Sequence, residues 1–362
     1  MIKKKALTAI GLMSGTSLDG IDAAVIKTDG EIIESVGVAA TYPYENDLRN
    51  RLKALVGRPF KNDPFSVETV QGLTLAHVEA VNQLLKLSGK SHENIDIIGF
   101  HGQTIYHAPA QKVTYQIGDG ALLAKKTRIK VVADFRSNDI AHGGQGAPLV
   151  PLFHKALSTA LEKPLCILNI GGVANVTWLS PDGGILAFDT GPGNAVINDW
   201  VMETLGTEMD QGGMLAKSGT VDTSILVKML KNSYFFKPYP KSLDRNDFNL
   251  ELIRGLSPAD GAATLTAFTA SCIALAETKF PALPIRWLVA GGGRHNRCMM
   301  AELRKRLRSE VAPVETAGWQ GDAVEAQAFG FLAVRSLYGM SLTVPATTGC
   351  DRPISGGVLF NF

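Results

Sequence analysis

The run Phe188-Asp189-Thr190-Gly191-Pro192-Gly193-Asn194 sets one carboxylate directly after the apolar stretch Gly184–Phe188. Phe188 is expected to end a strand with Asp189 at its tip, while Thr190 can cap and Pro192 suits the first turn of a following helix. A carboxylate there faces a helix N-terminus and any phosphate held near it. It can serve as a general base if the proton it removes lies within hydrogen-bond reach. A capping aspartate would satisfy the same residues.

Three glycine-containing turns supply a different chemistry. A phosphate chain needs many backbone N–H donors at close range, which only small residues allow. The stretch Gly15-Thr16-Ser17-Leu18-Asp19-Gly20-Ile21-Asp22, led by Ser14, meets that need, and Asp19 and Asp22 can hold water around a phosphate-bound Mg2+. An ordinary hairpin turn would look the same. Gly171 and Gly172 lie in a second such turn, Asn169–Asn175, and Gly291, Gly292 and Gly293 end an apolar run ahead of a helical one. Neither a Walker P-loop nor a dinucleotide fingerprint occurs. Two hairpins and a later glycine cluster point instead to a nucleotide held between lobes.

Glu325 falls in an otherwise apolar helical run, where a solvated face and a site position both fit. His101, Gln103, Thr104, Asp134 and Arg136 follow apolar runs and can hydrogen-bond a hydroxylated, acidic ligand. Arg136 suits a carboxylate through its forked geometry. A satisfied structural network is the alternative for all five.

These groups need elements to hold them. Ala6–Met13, Ile21–Lys27 and Glu31–Tyr42 read as a meander. Ser66–Leu87 has helical periodicity with Ser66 as its expected N-cap. Strands at Ile95–Phe100 and Ile129–Phe135 deliver polar groups at their ends, where open α/β sheets place ligands. From Pro164 the pattern restarts: a hairpin, the strand before Asp189, a helix over Pro258–Phe280, a strand near Arg286, and helices over Asn296–Arg308 and Asp322–Leu337. The irregular segment from Gly206 to Asn249 reads as a loop over the cleft or an intersubunit surface.

The chain has 362 residues, more than one core normally organises, so two lobes are expected, 1–163 and 164–362. A charged share of 19% and a net charge of +2 argue against nucleic acid or a membrane surface as partner. No run approaches the ~20 consecutive apolar residues of a membrane helix. Lys3–Lys5 and the apolar run behind them imitate a signal peptide without its cleavage site. Four scattered cysteines suggest neither zinc nor disulfides and fit a reducing cytoplasm.

With these stretches in view, the chain resembles the anhydro-N-acetylmuramic acid kinases of the sugar kinase, Hsp70 and actin superfamily. The resemblance rests on GLMSGTSLDGID, GFHGQTIYHAP, YQIGDGALLA, VVADFRSNDIAHGGQGAPLVPLFH, LNIGGVANVT, FDTGPGN and VEAQAFGFLA, in that order; departures concentrate in the C-terminal TTGCDRPISGGVLFNF. It implies an α/β, duplicated, actin-like (ribonuclease H-like) fold with ATP in the interlobe cleft, Mg2+ with the phosphates, and a homodimer. The N-terminal lobe would carry the first phosphate hairpin and part of the sugar site, and the C-terminal lobe the second hairpin, the catalytic aspartate and the adenosine site. It also implies a reaction of 1,6-anhydro-N-acetylmuramic acid, ATP and water to N-acetylmuramic acid 6-phosphate and ADP, in cell-wall sugar recycling. Matching positions assign Gly15–Asp22 to ATP, Asp189 to the base and Glu325 to its supporting carboxylate. Gly171, Gly172 and Gly291–Gly293 go with the nucleotide, and Ser14, Thr104 and Arg136 with the sugar. Metal ligands stay unassigned. Kinases of another anhydrosugar such as levoglucosan, or of an ordinary sugar hydroxyl, are the alternatives, as is a non-catalytic nucleotide switch.

Overall fold

A computed structural model describes residues 4–15, 17–243 and 247–362. Thr16 lies outside the described residues. The chain forms two compact units, Met1–Thr159 with Ala323–Phe362, and Ala160–Asp322.

In the first unit β1 (Leu7–Ser14), β2 (Gly20–Thr28) and β3 (Ile33–Pro43) form the expected antiparallel meander. Two helices follow, α1 (Asn46–Leu55) and α2 (Pro64–Ser88). The N-cap of α2 is Asp63, whose carboxylate accepts from the amide of Ser66 at 2.9 Å; Ser66 is thus inside the helix and not its cap. β4 (Ile97–Ala108) runs parallel to β1 and continues through the His-Gly-Gln-Thr stretch, where β5 (Val113–Ile117) pairs with it. Then come α3 (Gly120–Thr127), β6 (Val131–Ala133) parallel to β4, α4 (Ser137–Ala141) and α5 (Pro151–Leu157).

The second unit repeats this plan. β7 (Leu165–Ile170), β8 (Val173–Leu179) and β9 (Ile185–Pro192) form a second antiparallel meander. After it come α6 (Ala195–Leu205), α7 (Met214–Ser218), α8 (Thr223–Met229) and α9 (Pro258–Ala276). β10 (Arg286–Ala290), α10 (Arg297–Arg306) and β11 (Glu310–Pro313) complete it, with β10 parallel to both β7 and β11. The strand order β3-β2-β1-β4-β6 of the first sheet matches β9-β8-β7-β10-β11 of the second, strand for strand and direction for direction. The fold is therefore the duplicated, actin-like α/β arrangement.

α9 is apolar on nearly every side because it is surrounded: its own Phe268 is buried with Trp200 and Trp287 in one core. By length and composition the helical stretch Pro258–Lys279 could cross a membrane, but 72% of its apolar window is buried inside the protein. A helix of that kind is the core of a large unit.

The end of the chain departs from the expected partition. α11 (Val324–Leu337), α12 (Pro345–Thr348) and β12 (Val358–Phe360) belong with the first unit, although residues 164–362 read as one lobe. The physical reason is a pair of glycines. Gly11 and Gly99 are register partners on β1 and β4, and α11 rests directly on them. A methyl group at Gly11 would stand 1.7 Å from the carbonyl oxygen of Ala326, and one at Gly99 2.0 Å from that of Phe329. Only bare backbone lets the helix come so near.

Candidate active site

In the first unit, the turn between β1 and β2 is fastened from below. Ser14 donates to Oε1 of Gln103 at 2.5 Å and lies 2.6 Å from the Tyr44 hydroxyl, which therefore donates to it. Gln103 donates in turn to the carbonyl of Gly15 at 3.2 Å. Burial raises the Tyr44 pKa, so the hydroxyl keeps its proton. Ser14 is thus a buried support of the turn rather than an exposed donor.

Leu18 adopts φ 56°, a left-handed conformation a branched side chain seldom takes. Its amide bonds the carbonyl of Gly15 at 3.3 Å and its own carbonyl receives Nε of Arg49 at 2.9 Å. Such strain, over-determined by its surroundings, is typical of ligand-gripping turns. Asp19 accepts from Ser17 at 2.8 Å and Asp22 from Thr41 at 2.6 Å, which orients both carboxylates. Gly20 and Ile21 are the first two residues of β2, both buried.

Also in this unit, Thr104 accepts from Gln116 at 3.2 Å. Arg136 is the N-cap residue of α4, and its Nε and Nη2 lie 3.2 and 2.9 Å from Nε2 of His101. Asp134, φ 54°, accepts from the amide of Ser137 at 3.2 Å and so serves the start of α4. Glu325 is half-buried in the first turn of α11, where the helix dipole favours a carboxylate.

In the second unit, β9 continues past Asp189 to Pro192. Asp189 is therefore within the strand, opposite Asn175, and Pro192 ends the strand instead of opening the helix. Thr190 does not cap: its hydroxyl donates to the carbonyl of Ala174 at 3.1 Å. The helix starts later, at Ala195, because the amides of Asn194 and Ala195 bond Gly171 and Gly172 at 2.8 and 3.2 Å. These bonds draw the second glycine turn onto the β9–α6 junction.

The irregular segment before α9 has a definite place: it straps β9. The amide of Asp189 donates to Lys241 at 3.0 Å, the Tyr234 hydroxyl donates to the Asp189 carbonyl at 2.7 Å, and the Leu243 amide donates to Oδ2 of Asp189 at 2.8 Å. Tyr234, Phe235 and Leu243 are buried, which anchors the strap in the core. Lys241 donates to the Tyr234 carbonyl at 2.9 Å, and burial lowers its pKa to about 8. No side chain in this segment matched a catalytic pattern, and what Leu243 gives the carboxylate is its backbone amide.

Gly291 opens the third glycine cluster with φ 72°, and a methyl group there would stand 2.3 Å from Oδ1 of Asn169. Arg294, unremarked in the sequence, holds the cluster. Its buried guanidinium reaches the Gly291 carbonyl at 3.0 Å, Glu315 at 2.8 Å and Asp322 at 2.8 Å. Gly292 and Gly293 lie between these anchors in a short 3-10 turn.

The sequence profile described as Anhydro-N-acetylmuramic acid kinase matches residues 7–361. Relatives of that name include one from Paramagnetospirillum magneticum, 52% identical over 97% of this chain and 99% of its own. One from Acidiphilium cryptum is 53% identical over 96% and 97%. A third, from Rhodospirillum rubrum, is 51% identical over 97% and 94%. A match from end to end at this identity, on a duplicated fold with strapped glycine turns, means that the chain belongs to the anhydro-N-acetylmuramic acid kinase family.

Proposed function

We propose that the protein opens the 1,6-anhydro ring of 1,6-anhydro-N-acetylmuramic acid with water and transfers the γ-phosphoryl group of ATP to O6. The products are N-acetylmuramic acid 6-phosphate and ADP. The observation that carries the reading is Asp189: a buried carboxylate with one oxygen fixed by a backbone amide, in a chain of this family.

Asp189 takes a proton from water as the water oxygen attacks the anomeric carbon, the role of the base carboxylate in an inverting glycosidase. The C1–O6 bond breaks and its electron pair stays on O6. That oxygen attacks the γ-phosphorus in line, and the bond from γ-phosphorus to the bridging oxygen of ADP breaks. The phosphoryl group takes the place of the acid that protonates the leaving oxygen in a glycosidase. Glu325 supports the base, and Arg136 and Thr104 bind the sugar. Ser14 acts beneath the turn, through Gln103.

The strained turn around Leu18 and the clusters at Gly171–Gly172 and Gly291–Gly293 are the proposed seats of the nucleotide, with backbone N–H groups as donors. Among the described residues no three of His, Cys, Asp and Glu gather in a metal cage. Mg2+ fits that pattern, because it keeps several waters and is usually held by substrate phosphates with one or two carboxylates. Asp19 and Asp22, hard oxygen donors beside the phosphate turn, are its expected partners through water. When bound, it neutralises charge on the phosphoryl group being transferred. Cell-wall sugar recycling, a cytoplasmic site and a homodimer belong to the same proposal.

The test is ADP release with 1,6-anhydro-N-acetylmuramic acid, levoglucosan and N-acetylglucosamine. The first is expected to be preferred in kcat/KM; a preference for either of the others overturns the substrate assignment.

A further inference from the structure

We infer that His101 is a positioning residue that holds the Arg136 guanidinium ready for the carboxylate of the acidic anhydrosugar, and that it does so only as a neutral ring. This rests on the assignment of Arg136 to the substrate given above.

The tautomer follows from the contacts. Nδ1 of His101 is 2.8 Å from the carbonyl oxygen of Gly102, which can only accept, so Nδ1 carries the hydrogen. Nε2 then presents a lone pair, and Arg136 places Nε and Nη2 on it. A protonated ring would turn an N–H toward the guanidinium. The site prevents this: burial holds the His101 pKa well below 6.5, and the charge of Arg136 adds to the effect. The Phe329 ring, 4.6 Å away, fixes the imidazole from the side.

The other side of the guanidinium is fixed as well. Nη1 donates to the Gly146 carbonyl at 2.6 Å, and the Gly146 amide donates to Oδ2 of buried Asp139 at 2.7 Å. Oδ1 of Asp139 accepts from Thr343 at 2.5 Å and Thr348 at 2.6 Å. With Nε and Nη2 on the imidazole and Nη1 on Gly146, the plane of the guanidinium is set before a carboxylate pairs with it. An arginine whose plane is set beforehand loses little freedom on forming such a pair.

The muramic sugar differs from its N-acetylglucosamine counterpart by an O3-linked lactic acid, which carries the carboxylate. The experiment is calorimetric binding of 1,6-anhydro-N-acetylmuramic acid and 1,6-anhydro-N-acetylglucosamine to the full chain and to two variants, with thermal melts to confirm folding. His101→Asn keeps a partner for Gly102 and removes the acceptor for Arg136; His101→Gln restores an acceptor near the place of Nε2. His101→Asn is expected to weaken binding of the carboxylate-bearing sugar about tenfold or more and leave the other unchanged. His101→Gln is expected to recover most of the loss. Equal weakening for both sugars, or none for either, overturns the role of His101. If the parent protein itself does not prefer the carboxylate-bearing sugar, the assignment of Arg136 fails first.

Discussion

The Leu243 amide donates to Oδ2 of Asp189 at 2.8 Å, so a strap from outside the sheet orients the proposed base. That bond fixes the plane in which the carboxylate meets the proton of the attacking water. Asp189→Asn preserves the accepting oxygen and the shape of the site but cannot take a proton. It is expected to lower kcat by at least about 100-fold with ATP affinity unchanged, measured by steady-state kinetics and nucleotide titration. Turnover close to that of the parent removes Asp189 from the role of base.

Arg294 ties the Gly291–Gly293 cluster to Glu315 and Asp322, and lysine has no fork with which to do this. Arg294→Lys is expected to raise KM for ATP about tenfold without changing KM for the sugar. The same ATP dependence in both proteins would detach this cluster from the nucleotide.

Gly99 and Gly11 admit α11 to the first sheet. Gly99→Ala sets a methyl group against the Phe329 carbonyl, with rigid backbone on both sides. A loss of about 3 kcal/mol or more in unfolding free energy is expected by urea denaturation, at the upper end for an overpacked core. An unchanged midpoint would mean that α11 does not sit there.

His77 is buried with Nδ1 on the Leu73 carbonyl at 2.8 Å and the Phe100 ring at 4.8 Å, and its Nε2 has no hydrogen-bond partner. Burial lowers its pKa from 6.5 to about 4. Below pH 6.5 the unfolded chain takes up a proton that the folded one refuses. The stability is therefore complete above that pH and is lost as the pH falls toward 4. The difference amounts to about 3 kcal/mol. Relative to the parent, His77→Leu is expected to show a flatter decline across this window in urea titrations; parallel curves would mean that His77 titrates normally.

What the sequence made legible follows its periodicity and its turns. The first meander, and the hairpin and strand of the second, were readable because apolar runs surround small-residue turns, and the repeat was inferred from their order. The return of α11 to the first unit was not readable from its own apolar pattern, since periodicity names a buried face without naming what covers it. The signal lay elsewhere, in glycines at 11 and 99 within strands. The strap over Asp189 was hidden for another reason: its donor is the backbone of Leu243, and backbone amides leave no mark in composition. At Thr190 and Pro192, capping chemistry suggested a helix start where β9 in fact runs on. Arg294 was missed because an arginine after a glycine cluster gives no sign of the acids, Glu315 and Asp322, that pair with it.

The central claim is that one turnover adds water to the sugar and a phosphoryl group to O6. Mass spectrometry of the product formed from 1,6-anhydro-N-acetylmuramic acid and ATP in 18O-labelled water tests it directly. The expected product has gained one phosphoryl group and one labelled water, with one ADP formed per sugar. A phosphorylated sugar with its anhydro ring intact would contradict the account.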